Sequence, residues 1–130
     1  MWLLKTEPGS YSYDDLERDQ QTRWDGVLNP AALRNMKEMK AGDRLVVYHT
    51  GDVKAAVGLA EVVKAAYPDP KRPNLVVIDI AARGRLPRPV TLAEMKASPL
   101  FAASPLVKQG RLSVVPLTAE QMKLITGAKK

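Results

Sequence analysis

The chain has 130 residues, of which 45% are hydrophobic and 26% are charged, with a formal net charge of +6 and no cysteine. This length and composition suit one globular domain over residues 1–130, and they exclude disordered and fibrous classes. The lack of cysteine excludes disulfides, thiolate zinc sites and cysteine nucleophiles. No apolar run reaches membrane-spanning length and no signal-peptide core follows Met1, so we expect a cytoplasmic protein with no membrane partner.

The first 40 residues predict one strand and two helices. Residues 2–5 form an apolar run typical of a short buried strand, which ends at the turn signal Pro8-Gly9. Ser12 begins a capping-box sequence, which predicts a helix to about residue 20. Asn29 is a strong N-cap and Pro30 suits the first helical position, so a second helix is expected to about residue 40.

The middle of the chain is rich in β-formers. Residues 45–48 and 56–63 flank the turn signal Gly51-Asp52, which is typical of an antiparallel pair, and the run 75–80 extends the sheet. Residues 67–73 contain three prolines and predict an extended, exposed loop. Residues 86–90 are expected to form an extended edge segment.

Two more capping boxes follow, at Thr91 and Thr118, each predicting a short helix, with a strand expected at residues 112–115 between them. Helices and strands that alternate without repetition, together with antiparallel hairpin signals, predict an α+β domain. Its sheet should be small, mainly antiparallel and barrel-like, with flanking short helices.

The run Trp24-Asp25-Gly26-Val27-Leu28-Asn29 is the most informative segment for function. Trp24 offers a stacking surface, Gly26 allows a close approach of the backbone, and Asn29 can donate and accept hydrogen bonds at the edge of a base. These residues have an alternative interpretation, in which Trp24 fills the core and Asn29 only caps the next helix.

Two other segments are expected to meet Trp24 at one cleft. Lys5, Thr6 and Glu7 end the first predicted strand, where Lys5 and Glu7 share one face and Thr6 occupies the other. Glu7 could accept from an exocyclic amine while Lys5 neutralises a phosphate. The alternative is an ordinary ion pair between them.

Tyr48 and His49 end a later predicted strand. Tyr48 could form a second wall of the cleft, or pack within the sheet. His49 is the only histidine of the chain, and a lone histidine is usually a hydrogen-bonded polar residue rather than a metal ligand or catalyst. We therefore expect no metal site and no cofactor.

The net charge of +6 and pI near 9.7 favour an anionic partner. Most basic residues are scattered, but Arg83, Arg85 and Arg88 could form a stripe that contacts a nucleic-acid backbone. A basic surface without a partner is the alternative.

Several segments, taken together and in this order, resemble the EVE domain family. They are Trp2-Leu3-Leu4-Lys5-Thr6-Glu7-Pro8, Trp24-Asp25-Gly26-Val27-Leu28-Asn29, Tyr48-His49, Val57-Gly58-Leu59-Ala60-Glu61-Val62 with Ala66-Tyr67-Pro68-Asp69, and Arg111-Leu112-Ser113-Val114. The resemblance implies a PUA-like barrel related to YTH and ASCH domains, and a partner nucleic acid that carries a modified base, cytosine derivatives in particular. It also implies a ligand site that includes Val27.

Three functions remain open at this point. The first is a module that binds a modified base in DNA or RNA through an aromatic-lined pocket. The second is an amidohydrolase acting on acetylated cytidine, because Lys5, Thr6 and Glu7 resemble the Lys/Thr/Glu set of some ASCH-type enzymes. Divergence of Lys5 and Thr6 on a regular strand counts against it. The third is a protein-interaction domain.

Overall fold

The computed structural model describes residues 1–127, in which six strands form one mixed sheet. The strands are β1 (Trp2–Thr6), β2 (Gln21–Trp24), β3 (Arg44–His49), β4 (Ala55–Pro68), β5 (Val76–Thr91) and β6 (Val114–Pro116). Their order across the sheet is β2-β5-β4-β3-β1-β6. The pair β1 and β3 is parallel, and every other neighbouring pair is antiparallel.

Five short α-helices and one 3₁₀ turn flank this sheet within the described part of the chain. They are α1 (Tyr13–Asp19), α2 (Pro30–Glu38), α3 (Leu92–Lys96), a 3₁₀ turn (Pro99–Phe101), α4 (Pro105–Lys108) and α5 (Ala119–Thr126). The predicted N-caps are confirmed at Ser12, Asn29, Thr91 and Thr118, each of which accepts a hydrogen bond from a backbone amide in the first turn. No helix in residues 1–127 is both long and apolar enough to cross a membrane.

The α+β class is confirmed, whereas closure of the sheet into a barrel is not. Strands β2 and β6 stand at opposite ends of the strand order and do not pair with each other in residues 1–127. The long strands β4 and β5 bend instead, with register shifts at several points along their shared ladder. Irregularities of this kind increase the local twist and curvature of a sheet.

Strand β2 and the lengths of β4 and β5 differ from the sequence-based expectation. Residues 21–24 were not predicted as a strand, because their side chains are mostly polar and exposed. Strand β4 continues to Pro68, at a position where the backbone amide is not needed for pairing. The proline-rich loop, predicted at residues 67–73, therefore lies at residues 69–75. Within it, Asp69 accepts a hydrogen bond from the Lys71 amide at 2.9 Å.

The core is closed by an unusually near contact between α1 and the sheet. The Tyr13 hydroxyl donates to the Leu59 carbonyl at 2.6 Å and accepts from the Gly84 amide at 3.1 Å. Its ring lies flat against Gly58, where an added Cβ would come within 2.4 Å of ring carbons. Only glycine leaves room for Tyr13 at this point of β4.

The first and last strands of the described chain lie side by side. Strand β1 pairs with β6, and the Leu117 amide donates to the Met1 carbonyl at 2.9 Å. A further backbone hydrogen bond, from the Lys5 amide to the Ser113 carbonyl at 2.9 Å, continues this contact to the end of β1.

Candidate functional site

A cavity of about 550 Å³ lies where the end of β1 meets β2 and the loop after it. Three strands separate β1 from β2 in the sheet, so only a strongly curved sheet can bring them to one cavity. The residues that line it are Lys5, Thr6, Glu7, Ser10, Tyr11, Thr22, Arg23, Trp24, Asp25, Gly26, Val27, Leu28 and Ser113.

Two aromatic rings form one wall of this cavity. Trp24 is the last residue of β2, and its side chain is only 8% exposed, so it belongs to the core and also lines the cavity. The Tyr11 ring stands at 86° to it, with 6.2 Å between the centroids. The Tyr11 hydroxyl donates to Asp19 at 2.9 Å, which fixes the ring against α1, and burial raises the pKa of that hydroxyl.

Lys5 and Thr6 both line the cavity although they alternate on β1. The Lys5 ammonium donates to the Gly110 carbonyl at 2.9 Å, and partial burial lowers its pKa. The Thr6 hydroxyl donates to the Tyr11 carbonyl at 2.7 Å. Because the hydroxyl proton is held by a carbonyl and not by Lys5, the arrangement needed for a threonine nucleophile is not formed in this structure.

Glu7 lies on the turn that follows β1 and is exposed at the cavity. Its carboxylate accepts a hydrogen bond from the Thr50 hydroxyl at 2.9 Å, and Gly51 lies beside the same carboxylate. The ordinary ion pair between Lys5 and Glu7 is not formed, since each has a different partner. One carboxylate oxygen therefore remains available to a ligand.

The loop between β2 and α2 also lines the cavity. Gly26 has a φ of 77°, a left-handed conformation that favours glycine, and Val27 is buried with 8% exposure. Asn29 caps α2, its side-chain oxygen accepting from the amides of Ala31 and Ala32 at 2.8 and 3.0 Å. The Asn29 side chain is thus occupied by the cap, as its alternative interpretation predicts.

Three of the predicted site residues are not among those that line the cavity: Asn29, Tyr48 and His49. Tyr48 is 3% exposed and packs within the sheet, with the Lys5 ammonium 5.8 Å from its ring centroid. His49 accepts a hydrogen bond from the Tyr13 amide at its Nε2 atom, at 3.0 Å. Burial, and secondarily the charge of Arg85, lower the pKa of His49.

Each arginine of the predicted backbone-contacting stripe has a carboxylate partner. The pairs are Arg83 with Glu61 at 2.9 Å, Arg85 with Asp14 and with Glu17 at 3.0 Å, and Arg88 with Glu94 at 2.8 Å. The Arg88 guanidinium also lowers the pKa of the Glu94 carboxyl to about 2. A phosphate that binds here would compete with these carboxylates for the guanidinium charge.

Arg23 is a cavity residue that the sequence did not indicate. Its Nε donates to the Tyr67 hydroxyl at 3.3 Å, a contact that raises the pKa of the guanidinium, and it has no carboxylate within salt-bridge distance in residues 1–127. Tyr11, Leu28 and Ser113 were also missed. Recognition of β2 as a strand would have pointed to Thr22, another residue of the cavity, because it shares a face of the strand with Trp24.

No group of three or more histidine, aspartate or glutamate side chains within the described residues is arranged to hold a metal ion. The residues that line the cavity instead include two aromatic rings, two cations, the two carboxylates Glu7 and Asp25, and several hydroxyls. Sites of this composition suit a flat polar ligand.

This geometry defines a class of protein: a small α+β domain with one curved sheet and an aromatic-walled cavity at the edge of that sheet. The EVE domain family matches residues 1–128, and the chain belongs to this family. The resemblance predicted from the sequence is thereby confirmed.

Similar proteins come from bacteria and animals. Rpa0253 from Rhodopseudomonas palustris is 41% identical with a TM-score of 0.91, over 99% of this chain and 94% of that one. Thymocyte nuclear protein 1 from Rattus norvegicus is 30% identical, over 95% of this chain and 71% of that protein. Human THYN1 protein, solved in complex with 5-methylcytosine containing DNA, is 28% identical with a TM-score of 0.88, over 99% of this chain and 97% of that one.

Proposed function

We propose that this protein is a binding module that captures a modified nucleobase, a cytosine derivative, from DNA or RNA in the cavity beside Trp24. One observation carries the proposal: the chain shares its fold, with a TM-score of 0.88 and 28% identity, with a human protein whose structure contains 5-methylcytosine DNA. The chemistry of the cavity supports the same conclusion independently.

The size and walls of the cavity suit one base. Its volume of about 550 Å³ lies within the range of about 300–1,000 Å³ that is usual for small-ligand sites. Because the Trp24 and Tyr11 rings are nearly perpendicular, a base that stacks on one ring meets the edge of the other. Stacking of this kind is worth about 1–3 kcal/mol per base and tolerates substituents on the base.

Polar groups around the cavity match the edges of cytosine. The free oxygen of Glu7 is suited to accept from the exocyclic amine of the base, as acidic side chains do with cytosine. Val27 is buried and lines the cavity, so it supplies an apolar contact for a methyl-sized substituent on the ring. Thr6 adds a hydroxyl oxygen that is able to accept a hydrogen bond while it donates to Tyr11.

Phosphate contacts are part of the proposal. Neither Lys5 nor Arg23 forms an ion pair in residues 1–127, so both are candidate phosphate contacts, Lys5 at the cavity and Arg23 beside Tyr67. Arg83, Arg85 and Arg88 stay candidate contacts, although the charge of each is partly neutralised by a carboxylate partner.

The remaining expectations from the sequence belong to this proposal as well. A PUA-like barrel is supported by the curvature that brings β2 and Ser113, next to β6, to one cavity. A cytoplasmic location is supported by a chain without cysteine, which requires no oxidising compartment.

The test is a titration of fluorescently labelled single strands that carry one 5-methylcytosine or one unmodified cytosine. We expect the methylated strand to bind more tightly, and Trp24→Ala to weaken its binding by about 1–3 kcal/mol, the stacking contribution. Trp2→Ala is the matched control, because Trp2 is similarly buried, at 9% exposure, and does not line the cavity. Circular dichroism would confirm that both variants are folded.

Equal affinity for the two strands, together with a Trp24→Ala variant that binds like the parent, would contradict the proposal.

A further inference from the structure

Leu28 is an apolar side chain that stands in solvent at the mouth of the cavity. Its exposed fraction is 62%, and among the exposed large hydrophobic residues of the described chain, Met1, Leu28, Val53 and Leu100, it is the one that lines this cavity. Leu100 borders a separate groove next to α5. Single exposed leucines are common, so the meaning of Leu28 depends on how it is held and what lies beside it.

The loop holds Leu28 between two fixed points. Val27 before it is buried with 8% exposure, and the Asn29 side chain after it is locked to α2 by two hydrogen bonds. Helix α2 is in turn fastened to β6 by the Asn35 amide, which donates to the Val114 carbonyl at 2.8 Å. A side chain presented on such an anchored loop loses little conformational freedom when it binds a partner.

A base can enter the cavity from a duplex only by leaving the base stack. That step leaves a gap, and the unstacking and unpairing cost a few kcal/mol. Proteins that distort duplexes often insert an apolar side chain between base steps, leucine among them, so an apolar side chain is also suited to occupy such a gap. The wedge must stand next to the pocket that receives the base, and it must be exposed before binding.

We propose that Leu28 is the wedge of this protein, whose side chain enters the base stack of a duplex as the modified base enters the cavity. The inference rests on the proposed function and adds to it a duplex as a partner. Leu28 combines the three properties the role requires: apolar chemistry, exposure in the free protein and a position on the rim of the cavity. Lys5 lines the same cavity, so its ammonium is placed to contact a phosphate beside the gap.

The experiment compares binding of four probes: a duplex with one 5-methylcytosine paired to guanine, the unmethylated duplex, the methylated strand alone and the unmethylated strand alone. We expect Leu28→Ala to weaken binding to the methylated duplex about tenfold, equivalent to about 1.4 kcal/mol, and to change binding to the single strand by less than about twofold. A single strand has no stack to be filled, so it gains nothing from a wedge.

Two further variants make the comparison specific. Leu28→Met keeps an apolar side chain of similar volume and should retain most of the duplex affinity. Val53→Ala removes an equally exposed apolar side chain, at 65% exposure, from a turn outside this cavity and should leave both affinities unchanged.

If Leu28→Ala weakened duplex and single-strand binding equally, Leu28 would act only as a wall of the cavity, and the proposal that it is a wedge would be wrong. No change with either probe, or a parent protein that binds the methylated single strand but not the duplex, would also overturn it while the proposed function stands. A parent protein that binds neither methylated probe more tightly than its unmethylated counterpart would instead refute the proposed function.

Discussion

Two basic regions of this molecule differ in what their cations contact. The rim cations, Lys5 and Arg23, form no ion pair in residues 1–127: Lys5 donates to the Gly110 carbonyl, and Arg23 to the Tyr67 hydroxyl, which in turn donates to Asp79. The arginine stripe, residues 83, 85 and 88, is paired throughout with carboxylates. Closely spaced arginines in a sequence therefore need not form a positive surface that is available to an anion, since a neighbouring carboxylate cancels much of the field of each guanidinium.

One arginine of the stripe, Arg85, also lies over the Tyr13 ring, which belongs to the core. The Arg85 guanidinium sits 5.3 Å from the centroid of the Tyr13 ring, the ring that packs against Gly58. Arg85 is also paired with Glu17 of α1, so it joins β5 to that helix. Changes on this side are therefore expected to affect stability first, and changes at the rim to affect binding first.

The largest effect on stability should come from Gly58→Ala. An added Cβ would meet the Tyr13 ring at 2.4 Å, so either the ring or β4 must move. We expect a loss of about 3 kcal/mol in the free energy of unfolding, at the upper end for overpacking of a core. Chemical denaturation followed by circular dichroism would measure it.

Gly110→Ala is the matched control, because no atom lies within 4 Å of the Cβ it would add. A Gly58→Ala variant as stable as this control would mean that Tyr13 is not held against the sheet as described.

A smaller effect is expected when a rim cation is compared with one of the stripe. Arg23→Gln should weaken binding of methylated and unmethylated strands alike, and lower the slope of log affinity against log salt concentration by about one unit. Arg88→Gln should lower the slope less, because Arg88 is already paired with Glu94. Titrations at several salt concentrations would measure both slopes.

An equal or larger change with Arg88→Gln would show that the stripe contacts phosphate in spite of its carboxylates, and would remove the distinction between the two regions.

The smallest effect should be a pH dependence of stability that arises from His49. Burial lowers its pKa below the ordinary value of 6.5, so as the pH falls below 6.5 the unfolded chain takes up a proton before the folded protein does. The free energy of unfolding therefore has its full value from His49 above pH 6.5. It declines as the pH falls towards the lowered pKa of His49, and below that pKa it changes no further through this residue. Protonation of Nε2 would also remove the acceptor of the Tyr13 amide.

Urea denaturation of the parent and of His49→Gln at about pH 7.5 and about pH 5 would test this. Between the higher and the lower pH, the free energy of unfolding should fall more for the parent than for the variant. The same loss in both proteins would assign the pH dependence to other groups.

Local signals predicted much of the fold. Ser12, Asn29, Thr91 and Thr118 were all identified as helix starts, because a capping side chain acts on amides two or three residues away and needs no tertiary context. The short segments that begin at Pro99 and Pro105 were missed, although Ser98 and Ser104 cap them, since helices of this length have little periodicity.

The site was harder to predict than the fold. Trp24 and the Lys5-Thr6-Glu7 segment do lie on one cavity, but the second aromatic ring on it is Tyr11 and not Tyr48. Tyr11 follows β1 and Tyr48 lies near the end of β3, so both were possible partners of Trp24. Which of them reaches β2 depends on the curvature of the sheet. That curvature arises from register shifts between β4 and β5, which no local pattern reveals.

The pairing of β1 with both β3 and β6 determines when the binding site can form. One wall of the cavity depends on contacts between segments far apart in the chain, including a hydrogen bond from Lys5 to Gly110 that spans 105 positions. Contacts of such high sequence separation form slowly, so during synthesis on the ribosome the cavity should be among the last parts to assemble. A partly made chain would expose strand β1 without β6, and the proposed capture of a base would begin only with the finished domain.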